Sequence, residues 1–186
     1  MLRYAYAKGL VTQVWGGEMK INDIQLLFDY NYWANALMLA TAAALGPEQL
    51  TQPTAFPWGS LHGTLVHTLD GEHMWRHLCR DERVLPVRLT QLEPFPTLES
   101  IAAYWKGEEA EMRAYLDSLS DRDMERVIRY EVEEGLRERV LWHCLVHVVN
   151  HGTQHRSECA AMLTDFGHSP GGIDLTRYLN IRAGLE

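Results

Sequence analysis

The sequence predicts an all-α protein, a four-helix bundle with one long crossover connection and a short C-terminal helix. Four long segments repeat apolar residues at helical spacing. Residues that favour helix starts and helix ends border these segments. A proline-containing stretch without any period separates the second segment from the third. Together these observations favour four packed helices, two of which are joined across the end of the bundle.

The first predicted helix spans about 23–45 and ends at a Gly-Pro pair. Ser60 is a good N-cap for a second helix over roughly 61–80. The stretch 81–96 contains three prolines and no period, so we expect a long connection there. Extended chain of this length reaches roughly 50 Å, which is enough to cross the end of a bundle.

Thr97 is the expected N-cap of a third helix that runs to about residue 119. Alternating residues at 127–131 predict an extended piece that turns at Gly135. The fourth predicted helix spans about 138–166. A short helix with Asp174 as its N-cap is expected to follow it.

Composition restricts the classes of function. With 186 residues, 46% of them hydrophobic and 23% charged, the chain is typical of one soluble globular domain. A net charge of −8 argues against nucleic acid as a partner. No apolar run approaches a membrane span, and the N-terminus lacks the features of a signal peptide. Three cysteines without a CxxC motif fit reduced thiols, so we expect a cytoplasmic protein.

The first eighteen residues stand outside the helical pattern, which begins after "WGGE". We therefore divide the chain into an N-terminal extension, 1–18, and one domain, 19–186. One hypothesis is that translation starts at Met19, and the N-terminal mass of the native protein would test it.

A histidine occupies every fourth position from 143 to 155, in the segment "HCLVHVVNHGTQH". Each step of four residues turns an α-helix by about 400°, so the row rotates by about 120° over its length of roughly 18 Å. A single ion therefore cannot bind all four imidazoles. An adjacent pair at i and i+4 can converge on one ion.

The composition around the row favours His151 and His155 as that pair. His143 and His147 stand among apolar residues, where a histidine is usually part of the core. After residue 150 the sequence changes to "HGTQHR", in which small and polar residues leave room for water or substrate. A second pair on the second helix, His73 and His77, is expected to lie mostly on the surface.

A catalytic metal site needs a third protein ligand, which we expect from a facing helix. His67 has apolar neighbours and should face the interior, whereas His62 stands near the helix start and should be more exposed. Asp70 and Glu72 lie close to His67 in sequence. Either acid could orient a ligand or act as a base, and a place on a solvated face is an equally good interpretation.

Three segments, "FDYNYWANALM", "LVHTLDGEHMW" and "LWHCLVHVVNHGTQHRSECAAMLTDFGHSP", resemble the DinB family. That family belongs to a superfamily with bacillithiol S-transferases and mycothiol-dependent maleylpyruvate isomerases. The resemblance implies a four-helix bundle, often dimeric, in which three histidines hold a divalent metal. Position by position these are His67, His151 and His155. Asn150 and Arg156 match the "NHxxxHR" pattern of the family, where we expect support of the site or substrate contact.

The resulting hypothesis is a divalent-metal-dependent enzyme. All-nitrogen ligation suits zinc best, with nickel, manganese or iron as alternatives. Such an ion activates a bound water or a substrate thiol at neutral pH, which gives either a hydrolase or a transferase of a low-molecular-weight thiol. The resemblance favours the thiol. Asp70, Glu72 and Arg156 are the candidate catalytic residues, and the expected partners are a small-molecule substrate and a second copy of the chain.

Two other interpretations remain open from the sequence. One is a stress-linked protein that binds metal or a partner without turnover. The other is that the histidines are structural and bind no metal. In that case a His151→Ala variant should change stability without changing metal content.

Overall fold

The computed structural model describes residues 19–92 and 95–186. The predicted extension, 1–18, lies outside the described residues. Within the described ranges the α-helices are α1 (Ile21–Ala42), α2 (Pro47–Thr51), α3 (Leu61–Asp81), α4 (Leu89–Leu92), α5 (Leu98–Asp117), α6 (Leu141–Asp165) and α7 (Leu175–Arg182). A 3₁₀ turn (Asp121–Asp123) and a hairpin of β1 (Val127–Val132) and β2 (Gly135–Val140) connect α5 to α6.

The four long helices α1, α3, α5 and α6 form the predicted bundle. Helix α6 packs against both α1 and α3, and α5 packs against the same two helices. Gln25 of α1 donates to Asp117 of α5, and Asp29 of α1 accepts from Arg113 of α5. Later residues of α1 therefore meet earlier residues of α5, so these two helices run antiparallel.

Helices α3 and α5 run parallel, which explains the long crossover. Trp105 of α5 donates to Glu72 of α3. Closer to the C-terminus of both helices, Tyr115 of α5 donates to the carbonyl of Cys79 of α3. Parallel neighbours cannot be joined by a tight turn, since the chain must return along the bundle. Residues 82–92 and 95–97 belong to that return, and α4 lies within it with Leu89 buried. The predicted crossover is confirmed.

The fourth long helix begins three residues later than the sequence predicts. Residues 135–140 pair with β1 as an antiparallel strand in the register Val127↔Val140, and α6 starts at Leu141. The second strand escaped prediction because "LRER" consists of good helix formers. The short helices α2 and α4 were also not predicted, since neither is long enough to show a period.

The core has two apolar clusters with a polar layer between them. One cluster includes Phe28, Met112 and Leu145, and the other includes Leu65 and Met162. Along each long helix, buried polar residues stand between the members of the two clusters. These residues include Asn31, Asn35, Glu72, Glu108 and Arg156.

All three cysteines are buried free thiols. No helix in the described part of the chain is long and apolar enough to cross a membrane.

Candidate metal centre

His67, His151 and His155 converge at the contact between α3 and α6. One ring nitrogen from each lies within 4.8 Å of the others. Nε2 of His67 and Nε2 of His151 are 3.1 Å apart, and the ring centroids of His151 and His155 are 4.5 Å apart. Among residues 19–92 and 95–186, this is the one group of three or more side chains that could hold a metal ion.

The spacing of the His67 and His151 nitrogens fits a divalent ion. Two imidazoles bound tetrahedrally to zinc at roughly 2.0–2.1 Å have nitrogens about 3.3 Å apart. The observed separation of 3.1 Å between His67 and His151 is close to this value. The donor set, three imidazole nitrogens from two packed helices, is also one that zinc and its neighbours in the first transition row prefer.

Helix geometry explains why these three histidines meet. His151 and His155 are separated by one turn of α6 and share a face. Helix α3 runs antiparallel to α6 and presents His67 to that face. Gly71, one turn after His67, lets the two helices come close: a Cβ on Gly71 would lie 2.6 Å from Cε1 of His151.

A carboxylate fixes the ring of His155. Nδ1 of His155 lies 2.8 Å from Oε2 of Glu158, one turn further along α6. His155 is 4% exposed, so this hydrogen bond is largely shielded from water. A proton on Nδ1 leaves Nε2 as the nitrogen available to a metal. The sequence analysis did not identify Glu158, although its spacing of three residues from His155 on one helix was a usable signal.

The centre keeps His67 and His151 neutral. Burial lowers the pKa of His67 to about 4 and that of His151 to about 3, and the nearby His155 adds to both shifts. At pH 7 both rings therefore carry a free lone pair. Neutral imidazole is the form that binds metal.

Trp58 covers one side of the centre. Its indole stacks on the ring of His67 with centroids 3.5 Å apart and an angle of 14° between the planes. The same indole meets His155 edge-on at 6.4 Å. Trp58 nevertheless remains 45% exposed, so it is both a contact of the centre and part of the surface. No motif marked this residue in the sequence.

The other histidines of the row lie outside the centre. His147 is exposed and packs against Trp75, with ring centroids 4.8 Å apart. His143 is also exposed and lies beside Trp142. The interpretation of these two histidines as part of the core is therefore wrong. The structure thus brings together the pair that the polarity of the sequence favoured, His151 and His155.

The remaining histidines of α3 are engaged elsewhere. Nε2 of His62 lies 2.6 Å from the carbonyl oxygen of Phe95. The expectation that His73 lies mostly on the surface is wrong. Its side chain is 11% exposed and its Nδ1 is 3.0 Å from Glu108, because α5 covers this face of α3.

Asp70 is buried and fastens the crossover to α3. Its Oδ2 accepts from Nε of Arg88 at 2.6 Å, and its Oδ1 accepts from the backbone N–H of Leu89 at 2.8 Å. The interpretation of Asp70 as part of a solvated face is therefore wrong. The carboxylate stands one turn from His67, and its hydrogen bonds hold Arg88 and the first residue of α4.

Glu72 is also buried, which excludes a solvated face for it as well. Its carboxylate accepts from the side chains of Asn31, Asn35 and Trp105 at 2.9–3.0 Å. Burial raises the pKa of Glu72, and these three hydrogen bonds oppose the rise. Glu72 thus joins α1, α3 and α5 in the middle of the bundle.

Arg156 completes this network from α6. Its guanidinium donates to Oδ1 of Asn31 and of Asn35, and to Oγ1 of Thr153. The two asparagines therefore connect the positive charge of Arg156 to the negative charge of Glu72. Both residues were candidate catalytic groups, and in the structure their hydrogen bonds go to this network.

A cavity of about 390 Å³ lies on the other face of α6. Leu27 and Tyr30 of α1, Val149 and Thr153 of α6, and Ile173 contribute to its lining. Val149 and Thr153 are two residues from His151 on either side, which places them about 160° from it around the helix. The cavity is therefore separate from the histidine centre. Asn150, expected to support the site or contact substrate, lines this cavity.

Comparison with known proteins agrees with the fold. The model of the DinB family matches residues 19–184. The crystal structure of a DinB-like protein from Bacillus cereus superposes with a TM-score of 0.61 at 16% sequence identity. The match covers 84% of this chain and 99% of that one. No curated protein matches the sequence.

Proposed function

The chain belongs to the DinB family, and from this membership and the three-histidine centre we propose that it is a divalent-metal-dependent enzyme. We propose further that it transfers a low-molecular-weight thiol to a small electrophilic molecule. The observation that carries the proposal is the convergence of His67, His151 and His155 within 4.8 Å of one another. Family membership and this cluster fit a divalent-metal binder, with zinc as our first choice of ion.

The number of ligands supports catalysis. Structural zinc sites are closed by four protein ligands, whereas catalytic sites have three and keep one position for water or substrate. Here three side chains meet, and His67 and His151 are only partly buried. When bound, a divalent ion would lower the pKa of a coordinated thiol or water, so that a nucleophile is present near neutral pH.

The residues of the chain have distinct roles in this proposal. His67, His151 and His155 would hold the ion through their imidazole nitrogens. Glu158 accepts a hydrogen bond from Nδ1–H of His155 and so fixes the direction of that ring. Trp58 shields the ring of His67 and offers an exposed aromatic surface to an apolar part of the substrate.

Resemblance to thiol-dependent members of the superfamily supports a thiol over water as the nucleophile. Transfer forms a carbon–sulfur bond and expels the leaving group of the electrophile, and the thiol proton passes to solvent or a buffer base. Such a reaction needs no oxidant or reductant.

A fluorogenic assay tests the proposal. The metal-loaded full-length protein is mixed with monochlorobimane and a small thiol, and formation of the fluorescent thioether is followed over time. We expect a rate above the uncatalysed reaction for wild type and for His143→Ala, which alters an exposed histidine outside the centre. We expect no excess rate for His151→Ala or after chelation. Stoichiometric metal without any excess rate would contradict thiol transfer and favour a metal-binding protein without turnover.

A further inference from the structure

Arg88 of the crossover has a fixed head group. Its Nε donates to Oδ2 of Asp70 at 2.6 Å, and its Nη2 lies 2.5 Å from the same oxygen. Nη1 contacts the sulfur of Met74 at 3.1 Å. The next residue, Leu89, adds a backbone hydrogen bond to Asp70. The guanidinium is therefore held against α3 rather than free in solvent.

This anchoring places Arg88 beside the histidine centre. Asp70 and Met74 follow His67 by three and seven residues, so they lie within about 60° and 20° of it around α3. Burial is the main cause of the lowered pKa of His67 and His151, and the charge of Arg88 contributes to both shifts. Through its contacts with Asp70 and Met74, the guanidinium lies on the side of α3 that carries His67.

Arg88 retains capacity to bind an anion. A guanidinium has five N–H groups, and the contacts with Asp70 and Met74 occupy three of them. The side chain of Arg88 is 44% exposed, whereas that of Asp70 is 5% exposed. The carboxylate of Asp70 is thus buried, whereas the side chain of Arg88 is open to solvent over part of its surface.

We propose that Arg88 is a specificity-determining residue, which selects small thiols that carry a carboxylate. The inference rests on the proposed thiol transfer and names the class of thiol. With the sulfur at the histidine centre, a carboxylate on the same small molecule meets the exposed side of the guanidinium. A planar fork of N–H donors suits a carboxylate geometrically. A thiol with an ammonium group is repelled from the same place.

Three small thiols that differ in charge test this proposal. The full-length protein is loaded with Co²⁺ under nitrogen and titrated with 3-mercaptopropionate, 2-mercaptoethanol or cysteamine. The sulfur-to-cobalt charge-transfer absorption reports binding directly, without any need for turnover. Because the three thiols differ in acidity, the quantity compared between proteins is the ratio of the affinities for 3-mercaptopropionate and cysteamine.

We expect Arg88→Gln to lower this ratio about tenfold, since one attraction and one repulsion are lost at a partly exposed site. Affinity for the neutral 2-mercaptoethanol should change less than about twofold in the same variant, because no charge–charge contact is lost. Arg88→Lys should keep most of the preference. Arg113→Gln is a matched control, because Arg113 on α5 is 42% exposed and forms an ion pair with Asp29 on α1. The ratio should not change in this variant.

A second measurement covers the case in which Arg88→Gln does not fold. In the wild-type protein the ratio should fall severalfold when sodium perchlorate is raised from roughly 20 mM to roughly 500 mM, because salt screens a charge–charge contact at a partly exposed side chain. An unchanged ratio in Arg88→Gln, or in wild type over this range of salt, would overturn the role of Arg88 while thiol binding at cobalt persists. Bound cobalt without a charge-transfer band for any thiol would overturn the proposed thiol transfer itself, and the inference with it.

Discussion

The imidazole of His151 occupies the space in which a side chain at position 71 would stand. A Cβ added to Gly71 would lie 2.6 Å from Cε1 and 3.0 Å from Nδ1 of His151. Cβ atoms in proteins essentially never approach another heavy atom to 2.6 Å, so one of the two groups would have to move. The close approach of α3 and α6 at this point is thus a condition for the histidine centre.

Gly71→Ala should disrupt the centre more than the fold. The added methyl group pushes the ring of His151 away from His67, whose Nε2 is 3.1 Å from that of His151. We expect zinc affinity to fall at least about tenfold, the effect typical of disturbing a residue that orients a ligand. Competition with a chromophoric chelator measures the affinity, and far-UV circular dichroism should remain that of a helical protein.

Gly107→Ala is the control for this substitution. Gly107 is exposed on α5, and no atom lies within 4 Å of a Cβ added there. Alanine should stabilise the helix by about 0.5–1 kcal/mol without changing zinc affinity. Equal zinc affinities for the two alanine variants would show that the position of His151 does not depend on Gly71.

Glu158→Gln should weaken metal binding through His155. The carboxylate accepts from Nδ1 of His155 at 2.8 Å, and an amide holds that proton less strongly. We expect zinc affinity to fall about 10–100-fold, the usual effect of removing a partner that orients a histidine ligand. Asp165→Asn removes a charge from an exposed position on the same helix and should leave the affinity unchanged. Equal effects in both variants would point to net charge instead of ring orientation.

The metal-free protein should lose stability between pH 7.5 and pH 5.0. The folded-state pKa of His151 is lowered to about 3, whereas the unfolded chain takes up a proton near the ordinary value of 6.5. Below pH 6.5 the unfolded state therefore binds more protons, and the free energy of unfolding falls as the pH falls. Above pH 6.5 this contribution to stability is fully present.

A His151→Gln variant isolates this effect, because glutamine does not titrate. Over the same pH interval its free energy of unfolding should fall by about 1–2 kcal/mol less than that of wild type, allowing for the partial exposure of the ring. Urea unfolding in the presence of a chelator measures both values. Parallel pH profiles for the two proteins would contradict the lowered pKa.

Local pattern was enough to predict the bundle and to favour the pair His151 and His155, and the resemblance to the DinB family completed the set with His67. Helical periodicity is a property of one segment at a time, and the spacing of His151 and His155 follows from the pitch of a single helix. The change from apolar to polar residues after residue 150 separated this pair from the rest of the row. A crossover was predicted because prolines and absent periodicity are also local signals.

Contacts between distant segments could not be predicted in the same way. The sequence left Asp70 and Glu72 open between solvent and a functional role, and only packing showed that both are buried. Asp70 is covered by the crossover, and Glu72 by asparagines more than thirty residues earlier. Trp58 stacks on His67 through a loop conformation that no periodicity encodes. The strand at 135–140 depends on its pairing with β1, which overrides the helix propensity of its residues.

Metal content per chain tests the central claim most directly. Tag-free wild type and the variants His67→Ala, His151→Ala and His155→Ala are purified and dialysed against zinc, nickel or manganese, and their metal is counted by elemental mass spectrometry. His143→Ala serves as the control outside the centre. We predict near-stoichiometric metal in wild type and the control, and its loss in the three variants of the centre. Wild-type protein that takes up none of these ions would contradict the account.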